Sequence, residues 1–195
     1  QVASRYGEHF DNAGDYTRIV NDGQYARLQG YVDDARARGL EVIVLGTADP
    51  AQRLFPPTPV LEPGDDARVM QEEIFGPVFP IRSVRSLDEA IAYVNAHDRP
   101  LALYPFSHDR AKVEKILRNT LAGGVSVNDT LFHFAINSLP FGGIGASGIG
   151  AYHGRAGFDA MSKQLPVFWQ ARRTGGDLLR PPYGKAQWLI DLIVR

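Results

Sequence analysis

A chain of 195 residues with 44% hydrophobic content is long enough to bury a real core. Lysine plus arginine number 21 against 22 for aspartate plus glutamate, so charge offers nothing to nucleic acid or to an acidic membrane surface. Cysteine is absent, which excludes disulfides, thiolate metal sites and a cysteine nucleophile within these residues.

No apolar run approaches the length of a membrane span. No basic-then-apolar leader opens the chain, so nothing points to secretion. The start at Gln1 rather than Met points to a fragment or a processed product.

Residues 1–20 give little periodic signal. Asp22 opens a predicted helix to about Arg38, with Tyr25, Leu28, Val32 and Ala35 at helical spacing and Gly39 as the stop. Glu41 to Leu45 reads as a strand. The Pro-rich stretch Arg53 to Leu61 reads as a loop leading into an edge strand, because proline cannot donate to a ladder. Gly64-Asp65-Asp66 is a turn. Val78 to Val84 is strand-like, and Ser86 with Glu89 forms a capping box for a helix burying Leu87, Ala90, Ile91 and Val94. His97 to Pro100 ends that helix, and Leu101 to Phe106 is the next strand. A helix from about Asp109 to Asn119 turns Val113, Ile116 and Leu117 inward, and Val125 to Asn128 is a further strand. Strand, helix, strand, helix, strand at this spacing means βαβ units and a parallel sheet, hence an α/β fold. Beyond it, Gly157 to Met161 reads as a helical turn, Gln164 to Gln170 as a strand and Thr174 to Asp177 as a linker. Lys185 to Arg195 reads as an apolar-faced terminal helix.

Two stretches carry chemistry. In Glu72-Glu73-Ile74-Phe75-Gly76-Pro77-Val78, Gly76 allows unusual backbone angles and Pro77 fixes φ, which would hold Glu73 and Phe75 in one pose. A carboxylate beside a ring suits a polyhydroxylated, partly flat ligand. A solvated acidic pair ahead of a core Phe is the other reading. The second stretch runs from Asn128 through Leu139-Pro140-Phe141-Gly142-Gly143 to Gly150, at a place where ligands bind in parallel sheets. Phe132, Phe134 and Phe141 there read equally as core or as pocket wall.

Several simpler motifs fail. Gly143-Ile144-Gly145-Ala146-Ser147-Gly148 matches G-x-G-x-x-G, but the residues after it make a poor helix, so it reads as a loop that lets backbone approach a pocket. Ile149 stands where a nucleophile elbow around Ser147 needs glycine. The histidines lack ligand spacing, which argues against a metal site. Asn128-Asp129-Thr130 is a glycosylation sequon without a secretory context.

Taken together, the run Glu72 to Val78, the spacing to Val125-Ser126-Val127-Asn128, and Leu139 to Gly143 with Ser147-Gly148 resemble the aldehyde dehydrogenase superfamily. Tyr152-His153-Gly154 with Phe158 is similar to its class-3-like branch, and within it to coniferyl aldehyde dehydrogenases. The resemblance spans Tyr6 to Trp169. It implies the C-terminal part of that family's α/β catalytic and cofactor-binding region over residues 1–162, an oligomerisation strand at 163–172 and a C-terminal tail at 173–195. It also implies oxidation of an aldehyde with NAD or NADP through a cysteine thiohemiacetal. The cysteine and the general-base glutamate would lie upstream, so no catalytic residue falls in this chain and the fragment alone would be inactive. By the same resemblance Glu73 accepts from the nicotinamide ribose and Phe75 packs by the nicotinamide. Phe141 lines the aldehyde pocket, with Phe132, Phe134, Ile136 and His153 as further wall candidates. The partners implied are a small aldehyde, of coniferyl type, and a second copy in a cytoplasmic homodimer. A catalytically inactive binding or oligomerisation module is the alternative.

Overall fold

Asn21 starts the first long helix: its backbone is extended and its Oδ1 accepts a 2.9 Å hydrogen bond from the Gln24 N–H. A cap of this kind contributes about 1 kcal/mol. A short helix α1, Val2–Tyr6, precedes it, and α2 runs Asp22–Ala37. Gly39, at φ +74°, closes α2 as predicted, its N–H donating to the Arg36 oxygen at 2.9 Å. Tyr25, Leu28, Val32 and Ala35 are buried as their spacing requires, and Tyr31 joins them. This computed structural model describes residues 1–7, 13–176, 180–182, 184 and 186–194. They fall into two compact units, Gln1–Tyr93 and Val94–Arg195.

In the first unit, β1 (Thr58–Leu61) pairs in parallel with β2 (Val78–Ile81), joined through the single-turn helix α3 (Arg68–Gln71). The register runs from Thr58↔Val78 to Leu61↔Ile81. The expected strand Glu41–Leu45 is reduced to one antiparallel bridge, Val42↔Val60. Ile43 and Leu45 donate to the oxygens of Pro59 and Pro57, each at 3.0 Å. Pro59 has no N–H to return to Ile43, so the ladder stops at one bridge. The Pro-rich stretch is likewise not an edge strand. N–H groups of β1 alternate between its two neighbours, and Pro59 falls on the side of residues 41–45. β2 ends at Ile81, short of the expected Val84, because β1 turns away at Glu62, which has φ +47°.

The core of this unit gathers Leu28, Tyr31, Val32 and Ala35 of α2 against Phe55, Val60, Ala67, Val69 and Val78. Leu28 is fully buried, worth about 1.5–3 kcal/mol relative to exposure. Helix α4, Leu87–Ala96, begins as a capping box: Ser86 Oγ accepts from the Glu89 N–H at 3.1 Å. The Glu89 carboxylate, however, accepts from the Arg85 N–H at 2.8 Å. Leu87, Ala90, Ile91 and Val94 are only half-buried.

In the second unit, β3 (Ala102–Leu103) and β4 (Gly124–Val125) pair in parallel across helix α5 (Arg110–Asn119), a βαβ unit. Asp109 caps α5, accepting from Ala111 and Lys112 N–H groups at 3.0 and 3.3 Å. Val113 is buried and Ile116 half-buried, but Leu117, expected inward, is 44% exposed. By helical angle it lies as near Val113 as Ile116 does, and nothing among the described residues covers it fully. Both strands are shorter than expected, although Ser126 and Asn128 still donate to the Leu103 and Pro105 oxygens. Pro105 cannot donate back.

Three short helices follow: α6 (Phe132–Ala135), α7 (Gly154–Ala160) and α8 (Gln187–Ile193). The expected strand Gln164–Gln170 is not formed, since a strand exists only through a partner ladder and these residues have none among the described residues. Asp177, Lys185 and Arg195, at the bounds of the predicted linker and terminal helix, lie outside the described residues. No helix among the described residues is long and apolar enough to cross a membrane.

Candidate functional site

In the first unit, Arg27 on α2 faces the Glu73 stretch. Its Nη1 donates to the Glu73 oxygen at 3.0 Å and its Nη2 to the Ile74 oxygen at 2.7 Å. A guanidinium fork of this kind fixes direction as well as distance. Nη1 also donates to the Tyr31 hydroxyl at 2.8 Å, which donates to Glu72 Oε2 at 3.0 Å. Arg68 completes the brace, its Nε 3.2 Å from Glu72 Oε1. Arg68 and then the Tyr31 hydroxyl hold the Glu72 carboxyl below the usual range, and Glu72 in turn raises Arg68.

The two acidic neighbours therefore have different jobs. Glu72 is spent on the brace, while Glu73 lends it only a main-chain oxygen and keeps an exposed carboxylate. Phe75 is 87% exposed with φ +42°. The unusual angle thus falls on Phe75 rather than on Gly76. Gly76 is glycine for another reason: a Cβ there would sit 2.5 Å from Leu28 Cδ2 and 2.7 Å from Cδ1. Glu73 and Phe75 open together onto a cleft of about 790 Å³ that also includes Ile19, Asn21, Gln24 and Arg27. A free carboxylate beside a free ring can accept from hydroxyls and pack on a flat heterocycle.

In the second unit, Phe141 sits within a group of rings. Tyr152 meets it edge-on at 5.5 Å, His153 stacks on it at 5.8 Å, and His133 and Phe134 lie at 5.9 and 6.1 Å. Its main chain exchanges two 2.8 Å hydrogen bonds with Tyr152. The glycine loop folds back on itself: a Cβ at Gly143 would lie 2.0 Å from the Ser147 oxygen, and one at Gly142 2.1 Å from the Gly150 oxygen. Ser147 Oγ holds the turn, accepting from the Ile144 N–H at 2.9 Å. A pocket of about 470 Å³ opens here, lined by Phe141, Tyr152, Leu101, Ile149, Met161 and the loop glycines.

Of the predicted wall residues, Phe141 lines this pocket. Phe134 and His153 touch the Phe141 ring without lining it, and Phe132 and Ile136 are 64% and 47% exposed. His133 is the buried member of α6. Sequence reasoning missed it, along with Arg27 and Tyr31. The available signal for the latter pair was their i, i+4 spacing on the flank of the α2 stripe. Among the described residues no group of His, Cys, Asp or Glu could hold a metal ion.

A family profile described as "Aldehyde dehydrogenase family" matches residues 2–165. A Caulobacter vibrioides protein named "Probable coniferyl aldehyde dehydrogenase" is 51% identical over 191 residues, covering 94% of this chain and 39% of its own length. The solved structure "Substrate bound state of Staphylococcus Aureus AldH" superposes with a TM-score of 0.78 at 38% identity, over 98% of this chain and 41% of that one. A Mycobacterium tuberculosis aldehyde dehydrogenase complexed with NAD+ superposes with a TM-score of 0.69 at 27% identity, over 83% and 34%. The chain thus spans about two fifths of the length of the relatives it matches. With its α/β architecture, its parallel pairs and its two motif stretches, this chain belongs to the aldehyde dehydrogenase family.

Proposed function

We propose that this chain is part of an enzyme that oxidises an aldehyde to its carboxylic acid with NAD+ or NADP+. The thiohemiacetal-forming cysteine and the general-base glutamate are supplied by residues outside it. Family membership and the absence of cysteine among 195 residues support that division. The observation that carries the reading is the Arg27-anchored pair of free groups, the Glu73 carboxylate and the Phe75 ring, on one cleft. Glu73 accepts from ribose hydroxyls and Phe75 packs by the nicotinamide, which when bound supplies the hydride acceptor. The work of these two side chains is orientation: they fix one end of a long ligand so that the reacting carbon stays in line.

Phe141 walls the aldehyde pocket, with Phe134 and His153 behind it and Phe132 and Ile136 completing the wall in the whole enzyme. No Lys or Arg lies from Asn128 to Tyr152. A pocket of rings without a cation favours aromatic aldehydes of coniferyl type over acidic semialdehydes, because burying an unpaired carboxylate is costly. Leu165, Val167, Phe168 and Trp169 are 62–87% exposed, which supports residues 163–172 as the strand that joins a second copy in a cytoplasmic homodimer. The same surface favours the second reading, an inactive oligomerisation module.

The test is a kcat/KM series on the full-length protein with cinnamyl-type, medium-chain aliphatic and succinic-semialdehyde substrates, beside the isolated chain. The expected order puts the cinnamyl type first and the semialdehyde last, with no rate from the chain alone. A leading semialdehyde overturns the substrate class. A rate that scales with the purified chain overturns the division of labour, and an inactive full-length protein establishes the second reading.

A further inference from the structure

His133 is 8% exposed, on a helix of only four residues, and its ring lies against Gly124 of β4 and is tied to Ser126, the residue after that strand. Ser126 Oγ lies 2.9 Å from its Nδ1 and also accepts from the His133 main-chain N–H at 3.3 Å. The ring lies flat enough on β4 that a Cβ at Gly124 would meet Cδ2 at 2.5 Å and Nε2 at 2.7 Å. Nε2 is buried with no hydrogen-bond partner among the described residues. An apolar ring would fill that space without stranding a polar atom, so burial alone does not account for an imidazole here.

What the imidazole offers over an apolar ring is Nδ1, and through Ser126 a fixed ring plane. That plane is one wall for Phe141, at 5.9 Å and 42°, and the Tyr104 ring lies 5.9 Å from the same imidazole. His153 lies on Phe141 at 5.8 Å and 23°, so the two imidazoles both bear on the Phe141 ring. Among the described residues, His133 is the one of the four rings in contact with Phe141 whose side chain is hydrogen-bonded to Ser126, just past β4.

We propose that the Ser126–His133 pair is a positioning device that sets the orientation of the Phe141 ring and thereby the preference for flat over aliphatic aldehydes. The inference rests on Phe141 being the aldehyde wall. Ser126 locks Nδ1, the locked imidazole fixes the face that Phe141 packs on, and Phe141 presents its own face to a flat substrate. Loss of the lock leaves Phe141 in the pocket but free to tilt. Aromatic substrates then lose a favourable ring geometry that aliphatic ones never use.

The experiment measures kcat/KM for an aromatic and a medium-chain aliphatic aldehyde on the full-length enzyme and on Ser126→Ala, His133→Phe, the double variant and Phe141→Ala. Both single variants are expected to lower the aromatic-to-aliphatic ratio about two- to tenfold, the range an aromatic pair is worth. The double variant is expected to fall no further, since both singles break one bond. Aliphatic turnover stays within about twofold, which a merely structural loss of stability does not produce. If His133→Phe fails to fold, Ser126→Ala decides alone, being a smaller change in the same bond. A ratio unmoved in Ser126→Ala, or additive losses in the double variant, overturns the inference. If Phe141→Ala also leaves the ratio untouched, the pocket reading itself fails. If Phe141→Ala moves it and Ser126→Ala does not, only the positioning role fails.

Discussion

Arg27 reaches across 46 residues of sequence to donate to the main-chain oxygen of Glu73 at 3.0 Å, while leaving the Glu73 carboxylate exposed. The same guanidinium holds the Ile74 oxygen, so the backbone that carries both free groups is gripped at two successive carbonyls.

Replacing Arg27 by Lys keeps the charge and loses the fork. In the full-length enzyme Arg27→Lys is expected to lower kcat/KM for the aldehyde about tenfold, the scale of one charge-assisted hydrogen bond. Urea unfolding of the same variant separates loss of geometry from loss of fold. A wild-type kcat/KM in a folded Arg27→Lys protein contradicts the anchoring role.

Glu73→Gln is expected to slow hydride transfer more than it weakens cofactor binding, because an orienting contact acts on a ligand held elsewhere as well. Single-turnover kinetics with deuterated aldehyde report the step directly. An unchanged hydride step with only a raised cofactor dissociation constant refutes the assignment.

Gly76→Ala drives a methyl into the side chain of Leu28, which is fully buried. Overpacking of this kind costs about 1–3 kcal/mol. Urea midpoints of the variant, and of Gly76→Ala combined with Leu28→Val, are expected to show the second change recovering part of the loss. Additive destabilisation in the double variant means the contact is not the reason for glycine.

Burial, with Tyr6 nearby, pushes the Tyr16 phenol up to about 12, and its hydroxyl donates to the Phe55 oxygen at 3.0 Å. The folded state therefore holds the proton longer than the unfolded chain, whose phenol titrates near about 10. Stability from this group is complete below about pH 10 and is lost as pH rises towards about 12. Tyr16→Phe is expected to flatten the fall in urea midpoint between about pH 9 and about pH 11.5. An equally steep fall in the variant places the alkaline sensitivity elsewhere.

How much of this was legible depends on range. The α2 face, the Ser86 cap and the crossover through α5 follow from local period and capping chemistry, and all three are present. Strand lengths did not follow, because a strand's extent is set by its partner's donors. Pro59 and Pro105 remove those donors from the far side of each pair. The Glu73 stretch was visible as unusual, yet its glycine was explained by φ when the cause is Leu28, 48 positions earlier. In α6 the period was too short to tell which ring turns inward, so His133 was hidden between two phenylalanines that look more buried on paper.

The one-way pairing at Pro59 also decides where the first unit opens. Residues 41–45 donate twice to the Pro57–Leu61 stretch, at Pro59 and Pro57, and receive only one bond, from Leu61 to Glu41 at 3.0 Å. Peeling them away strands a single N–H of β1, so this is where the sheet parts at least cost in hydrogen bonds. In hydrogen exchange, the Ile43 and Leu45 amides should trade as a pair, ahead of Val60 and the strand beneath. A tag or insertion placed just after Leu45 would load the flap without touching the core that carries Glu73.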